Sequence, residues 1–147
     1  MSIKKLNVCQ VSLMGNLTII KENLFYFNKF YKNNHHYIIC PKKEKNFFKK
    51  KIKNKNCEII DEDKILPFNK FKKVANKYLK NREYFYKIQP RLSWYYQQIL
   101  KLTFVLNFIK KTKNPIIIWD ADTIILKKIF FFIKYPLSHH QILMCLC

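Results

Sequence analysis

Apolar residues along this chain alternate between two spacings, and the alternation predicts a series of strands and helices. Residues 6 to 13 form a short apolar run with the length of a strand, broken by Gly15-Asn16. Between residues 17 and 31 the positions Leu17, Ile20, Leu24, Phe27 and Tyr31 recur at helical spacing, which predicts a helix with one buried face. Tyr37-Ile38-Ile39-Cys40 reads as a second strand, stopped by Pro41. The Lys-rich stretch 42–56 reads as an exposed helix or loop. Residues 57–60 read as a third strand, ending in the acidic cluster Asp61-Glu62-Asp63. Residues 68–81 put Phe68, Phe71, Ala75, Tyr78 and Leu79 on one side and lysines on the other, the pattern of a surface helix.

The clearest helical pattern spans residues 92–110. Leu92, Tyr95, Ile99, Leu102, Leu106 and Ile109 fall within a stripe roughly 100° wide, with Pro90 and Ser93 as start signals. Trp94, Gln97, Gln98 and Lys101 make a polar and aromatic ribbon beside that stripe. Pro115 then opens the run Ile116-Ile117-Ile118-Trp119, which ends at Asp120-Ala121-Asp122. A run of β-formers without alternation suits a central parallel strand buried on both faces. Strands alternating with helices predict an α/β sandwich with a mainly parallel sheet, with no internal repeat and no linker.

Composition narrows the classes of function. A chain of 147 residues with 49% hydrophobic and 16% aromatic residues has the material for one domain with a core and is not a disordered segment. Its single glycine, Gly15, excludes the Gly-rich loops that bring backbone against phosphate. The formal charge of +20 invites a nucleic-acid reading, but only Arg82 and Arg91 among 29 basic residues are arginine. Specific base and phosphate recognition favours the planar guanidinium fork, so no specific nucleic-acid partner is expected. The abundance of Lys, Asn, Ile, Phe and Tyr is what an A+T-rich coding sequence yields by default. The basic surface is still suited to anionic ligands and to anionic lipid headgroups. The cysteines Cys9, Cys40, Cys57, Cys145 and Cys147 lack CxxC spacing and read as free thiols of a reducing compartment. With no signal-peptide pattern and no apolar run of membrane-spanning length, the chain is expected to be cytoplasmic, in peripheral contact with the inner membrane face at most.

The acidic residues are few and unevenly placed. Of nine, only Asp120 and Asp122 follow Glu83, and they stand at the end of the most apolar strand. Parallel α/β sheets bind ligands beyond the carboxyl ends of their strands. Two adjacent carboxylates held away from the surface repel each other, and a hard divalent cation removes that penalty while sharing its shell with substrate phosphates. The residues thus point to a metal–diphosphate site, with turn capping by the aspartates as the plain alternative. His139, His140, Cys145 and Cys147 are chemically able to bind zinc, but their spacing fits no common zinc pattern. Asp61-Glu62-Asp63 has two readings, contact with a ribose or base and a solvated loop that balances nearby lysines.

Two motifs carry a family resemblance. Ile116-Ile-Ile-Trp-Asp120-Ala-Asp122-Thr-Ile-Ile-Leu-Lys-Lys-Ile129 resembles the strand–DxD signature of GT-A glycosyltransferases. Arg91-Leu-Ser-Trp94-Tyr-Tyr-Gln97-Gln98-Ile-Leu-Lys101-Leu resembles the R-x-x-W-Y-x-Q-Q-x-x-K-L helix of bacterial glycosyltransferase-like proteins of the surface-polysaccharide type, the DUF6492-like group. The resemblance implies a GT-A, Rossmann-like nucleotide-sugar-binding sandwich and sugar transfer from a nucleotide-sugar donor to a saccharide or lipid-linked saccharide acceptor. It implies Mn²⁺ or Mg²⁺ on Asp120 and Asp122, and a donor site lined by Arg91, Trp94, Gln97 and Lys101. Such sequences usually carry an aspartate just after the first strand, where this one has Gly15-Asn16. They also continue well past the DxD into an acceptor half, whereas 25 residues follow Asp122 here, residues 130–147 make an atypical tail and residues 138–147 resemble nothing in the group. The whole chain is therefore expected to be one partial domain, the donor-binding half. Its Phe130-Phe131-Phe132 is expected to be exposed, and its turnover alone to be weak. A basic nucleic-acid-binding module and a non-catalytic remnant are the competing readings.

Overall fold

A computed structural model describes residues 5–79, 91–112, 114–128 and 142–144. The elements are β1 (Leu6–Val11), α1 (Leu17–Phe30), β2 (Asn34–Cys40), α2 (Lys45–Lys51), β3 (Cys57–Asp61) and α3 (Phe68–Leu79), followed by α4 (Leu92–Thr112), β4 (Ile116–Ile118) and β5 (Ile142–Met144). All strand pairings are parallel and the sheet order is β3-β2-β1-β4-β5. This is a Rossmann-like α/β arrangement. The chain builds β1, β2 and β3 outward in one direction, then returns through α4 to place β4 on the other side of β1. The order therefore reverses between β1 and β4, where neighbouring connections leave to opposite sides and open a crevice.

The period of two along each strand divides the core into layers. On one face Cys9, Val11, Ile39, Ile116 and Ile118 pack against Tyr96, Leu100, Val105, Phe108 and Ile109 of α4. On the other, Val8, Ile117, Trp119 and Ile125 pack with Phe27 of α1, while Ile38 and Ile59 pack with Ile20 and Leu24 of α1 and Phe48 of α2. Both faces of β4 are thus covered, as an unalternating Ile-Ile-Ile run requires. Ile116 and Ile117 are fully buried, so truncating either to alanine removes about 2–5 kcal/mol.

Four details differ from the sequence pattern. The buried side of α4 carries Leu92, Tyr96, Leu100, Lys101, Val105, Phe108 and Ile109, whereas Tyr95, Ile99 and Leu106 are exposed. The helix is apolar on most of its circumference, so several stripes fit its periodicity equally well and the sheet selects one. Ser93 lies inside the helix, and Pro90 lies outside the described residues. Tyr78 of α3 faces solvent although Phe68 and Phe71 pack against Tyr96. The Lys-rich stretch forms the short helix α2, which buries Phe48 and is followed by buried Ile52, so it is not wholly exposed. Residues 80–81, Phe130-Phe131-Phe132, His139, His140, Cys145 and Cys147 lie outside the described residues. No helix among the described residues is long and apolar enough to cross a membrane.

Candidate functional site

The crevice at the carboxyl ends of β1 and β4 is a cleft of about 260 Å³. Its floor comes from Val11 at the end of β1 and from Ser12 and Leu13 after it, with Asn16 just before α1. Asp120, Ala121 and Asp122 after β4 form one wall, and Trp94, Gln97, Gln98 and Lys101 of α4 form the other. Two sequence motifs separated by about twenty residues are therefore faces of one cleft. On α4, positions 94, 97, 98 and 101 share one side because three- and four-residue steps nearly complete a turn. That side slopes from the solvent at Trp94, 54% exposed, to the core at Lys101, 4% exposed.

The charges are arranged with purpose. The ammonium of Lys101 donates to Oδ1 of Asp120 as a salt bridge. The Lys101 side chain is almost wholly enclosed while that of Asp120 is 38% exposed, so the pair sits at a boundary between core and cleft. Asp122 is exposed and no described residue pairs with it. The two carboxylates are thus not held away from solvent, as the buried strand before them suggested. The chain turns outward after Trp119, and their mutual repulsion is relieved by water and by Lys101.

The Asp120–Thr123 turn is gripped from beneath. Gln10 of β1 donates its Nε2 to the carbonyl of Asp120 at 3.5 Å, a long contact. Asn23 of α1 donates to the carbonyl of Thr123 at 2.7 Å, and the Trp119 indole donates to the same oxygen at 2.9 Å. Gln10 and Asn23 are completely buried. Sequence reasoning passed over both, although a signal was present. Gln10 interrupts an apolar strand, and Asn23 occupies the apolar stripe between Ile20 and Phe27, where a polar side chain is the informative exception. Ser12, Leu13 and Asn16 were likewise not singled out as cleft residues. Of the pair Gly15-Asn16 that follows the first strand, Asn16 lines the cleft.

The remaining candidates fall elsewhere. Arg91 is exposed, one helical turn beyond Trp94, and is not part of the lining. Asp61 is buried and its carboxylate accepts from the backbone N–H of Asp63 at 3.1 Å, so it caps the turn after β3. Burial, with the neighbouring acids Asp63, Asp61 and Glu44, raises the Glu62 carboxyl above its usual range. Burial pushes the Cys9, Cys40 and Cys57 thiols up to about 12, away from the thiolate form. Among the described residues no three His, Cys, Asp or Glu side chains converge as a ready cage for an ion. Two carboxylates on an open cleft nonetheless suit a hard cation that takes its other ligands from water and substrate phosphates.

The model of a family described as a family of unknown function (DUF6492) matches residues 8–132, which takes in most of β1, all of α4 and the whole cleft. No curated protein and no solved structure matches the chain significantly.

Proposed function

The chain belongs to this family of unknown function, and on that premise we propose that its cleft binds a nucleotide sugar and that the protein transfers the sugar to a saccharide or lipid-linked saccharide. The observation that carries the reading is the convergence of Asp120, Asp122, Lys101, Gln97, Gln98 and Trp94 on one crevice at the switch point of a parallel sheet. That is where open α/β sheets accept nucleotides and phosphates.

Each group has a task suited to its chemistry. Asp120 and Asp122 would hold Mn²⁺ or Mg²⁺ through carboxylate oxygens. The cation would supply Lewis-acid neutralisation of the charge growing on a departing diphosphate. Lys101 places a positive charge in the α4 wall of the cleft, strengthened by the low dielectric around its stem. Gln97 and Gln98 present amides that donate and accept hydrogen bonds, fit for sugar hydroxyls or for a base edge. The exposed indole of Trp94 offers a flat apolar face on which a base or a pyranose ring stacks. Gln10, Asn23 and Trp119 fix the turn that carries both aspartates, which lowers the ordering cost of binding.

The test is a titration with UDP, with and without Mn²⁺, repeated on Asp122→Asn. Metal-dependent binding in the parent protein that disappears in the variant supports the reading. Metal-independent, salt-sensitive binding of any oligonucleotide, with no UDP binding, replaces it with a basic nucleic-acid-binding module.

A further inference from the structure

Lys101 occupies an unusual position for a lysine. Its stem lies in the core beside Leu100, and its ammonium reaches the cleft to meet Asp120. An ammonium has three protons, and Asp120 is its one hydrogen-bond partner among the described residues. Lys101 lines the same cleft as Asp122, Gln97 and Gln98. Burying a cation with unused donors is costly unless something completes its shell. An anionic oxygen entering the cleft would do so. Asp120, meanwhile, is the carboxylate that a divalent cation would also need. Lys101 engages only its Oδ1, but a cation on either oxygen would stand close to the ammonium, and the two positive charges repel.

We infer that Lys101 and a divalent cation compete for Asp120, and that Lys101 gives up Asp120 to the cation and turns to a phosphate oxygen of the ligand when the two enter together. This rests on the metal–diphosphate reading of the cleft. In the empty cleft, Asp120 and Asp122 carry two negative charges and Lys101 offsets one, so a cation alone meets a half-neutralised site. A diphosphate arriving with the cation draws the ammonium away and restores both carboxylates. Lys101 thereby couples the two ligands. Each binds poorly alone, and together they bind well.

One substitution separates this from a structural role, because it moves two affinities in opposite directions. Lys101→Met keeps the length and apolar stem of the side chain, and Asp120 remains hydrated because its side chain is over a third exposed. In the full chain, Mn²⁺ binding without nucleotide, followed by the electron paramagnetic resonance of free Mn²⁺, should tighten at least about tenfold in the variant. UDP binding at saturating Mn²⁺ should weaken by at least about tenfold. Lys101→Gln repeats both measurements with a side chain that still donates to Asp120, should the methionine variant fail to fold. Unchanged or weaker Mn²⁺ binding in the folded variants, with the parent protein still binding Mn²⁺ and UDP together, overturns the competition and leaves the donor-site reading intact. If neither parent nor variants take up Mn²⁺ even with UDP present, the donor-site reading fails and the competition fails with it.

Discussion

The two ends of the sheet make an instructive pair. Each carries a cleft of about 260 Å³ lined mostly by polar side chains. At the amino end the lining is Lys5, Lys32, Asn33, Asn34, His35 and Asn56, without a carboxylate. The buried polar groups there are mostly engaged inward. Asn7 donates to the carbonyl of Pro115 at 2.9 Å and so ties β1 to the entry of β4. Asn34 donates to Asn28 at 3.0 Å and to the carbonyls of Phe27 and Tyr31, which closes the end of α1 onto β2. At the carboxyl end, Lys101, Asp120 and Asp122 present both signs of charge to an open cleft, and Asp122 has no described partner. Volume alone does not distinguish the two. The lining charges do: both signs face the cleft at the carboxyl end, and no carboxylate lines the one at the amino end.

The largest expected effect lies at the amino end and is purely structural. His36 is buried edge-on against Phe27 at 4.8 Å, with neither ring nitrogen hydrogen-bonded. Burial, reinforced by His35, pushes its pKa down to about 3. The neutral form is thus the folded form, while the unfolded chain takes up a proton below its ordinary value near 6.5. Stability is unaffected by this group above pH 6.5 and falls as pH drops from there toward 3. The slope is about 1.4 kcal/mol per unit, on the order of 5 kcal/mol over the window. Urea melts at pH 7.5 and pH 5 should show a loss of about 2 kcal/mol from this group, and His36→Phe should remove most of it. An equally steep profile in the variant would place the acid sensitivity elsewhere.

The second test separates the two aspartates. Asp120→Asn leaves Lys101 buried without its counter-ion, and should cost about 2 kcal/mol of stability after allowance for the exposure of Asp120. Asp122→Asn, on an exposed and unpaired side chain, should leave the thermal midpoint within about 1 °C of the parent. Both should lose Mn²⁺-dependent UDP binding by at least about a hundredfold. Equal destabilisation by the two substitutions would mean that the Lys101 pair does not hold the turn.

Asn34→Ala should cost about 2 kcal/mol, seen as a lower urea midpoint, because the end of α1 and the chain leading into β2 lose their shared donor. It should leave UDP affinity unaltered, since the two ends of the sheet are built independently. A loss of UDP binding in a folded Asn34→Ala protein would break the division drawn between them. The smallest expected effect is at the rim of the carboxyl cleft. Trp94→Ala should weaken UDP or UDP-sugar binding by about tenfold without changing stability. Tyr95→Ser, one residue away but outside the cleft lining, should change affinity by less than about twofold. Equal losses from both would argue that the aromatic pair acts as one surface.

Much of this was written in one dimension. Strand β4 is legible because three consecutive isoleucines leave no solvent face, and a strand buried on both sides belongs to the interior of a parallel sheet. That placed Asp120 and Asp122 at a carboxyl edge before any fold was known. The helical span of α4 and the ribbon of Trp94, Gln97, Gln98 and Lys101 were legible because spacing along a helix fixes direction around it. Spacing gives relative angle only, however, and on a helix apolar nearly all round it cannot choose which side faces the sheet. Tertiary packing chose Tyr96 and Leu100 over Tyr95 and Ile99, and in doing so turned the ribbon toward β4. The Lys101–Asp120 pair and the hold of Gln10 and Asn23 on the Asp120–Thr123 turn were likewise decided by the fold. Those contacts join residues 19, 110 and 100 positions apart, and no local pattern encodes such a meeting. It follows from the strand order, which sets β1 beside β4 and closes both helices over their carboxyl ends.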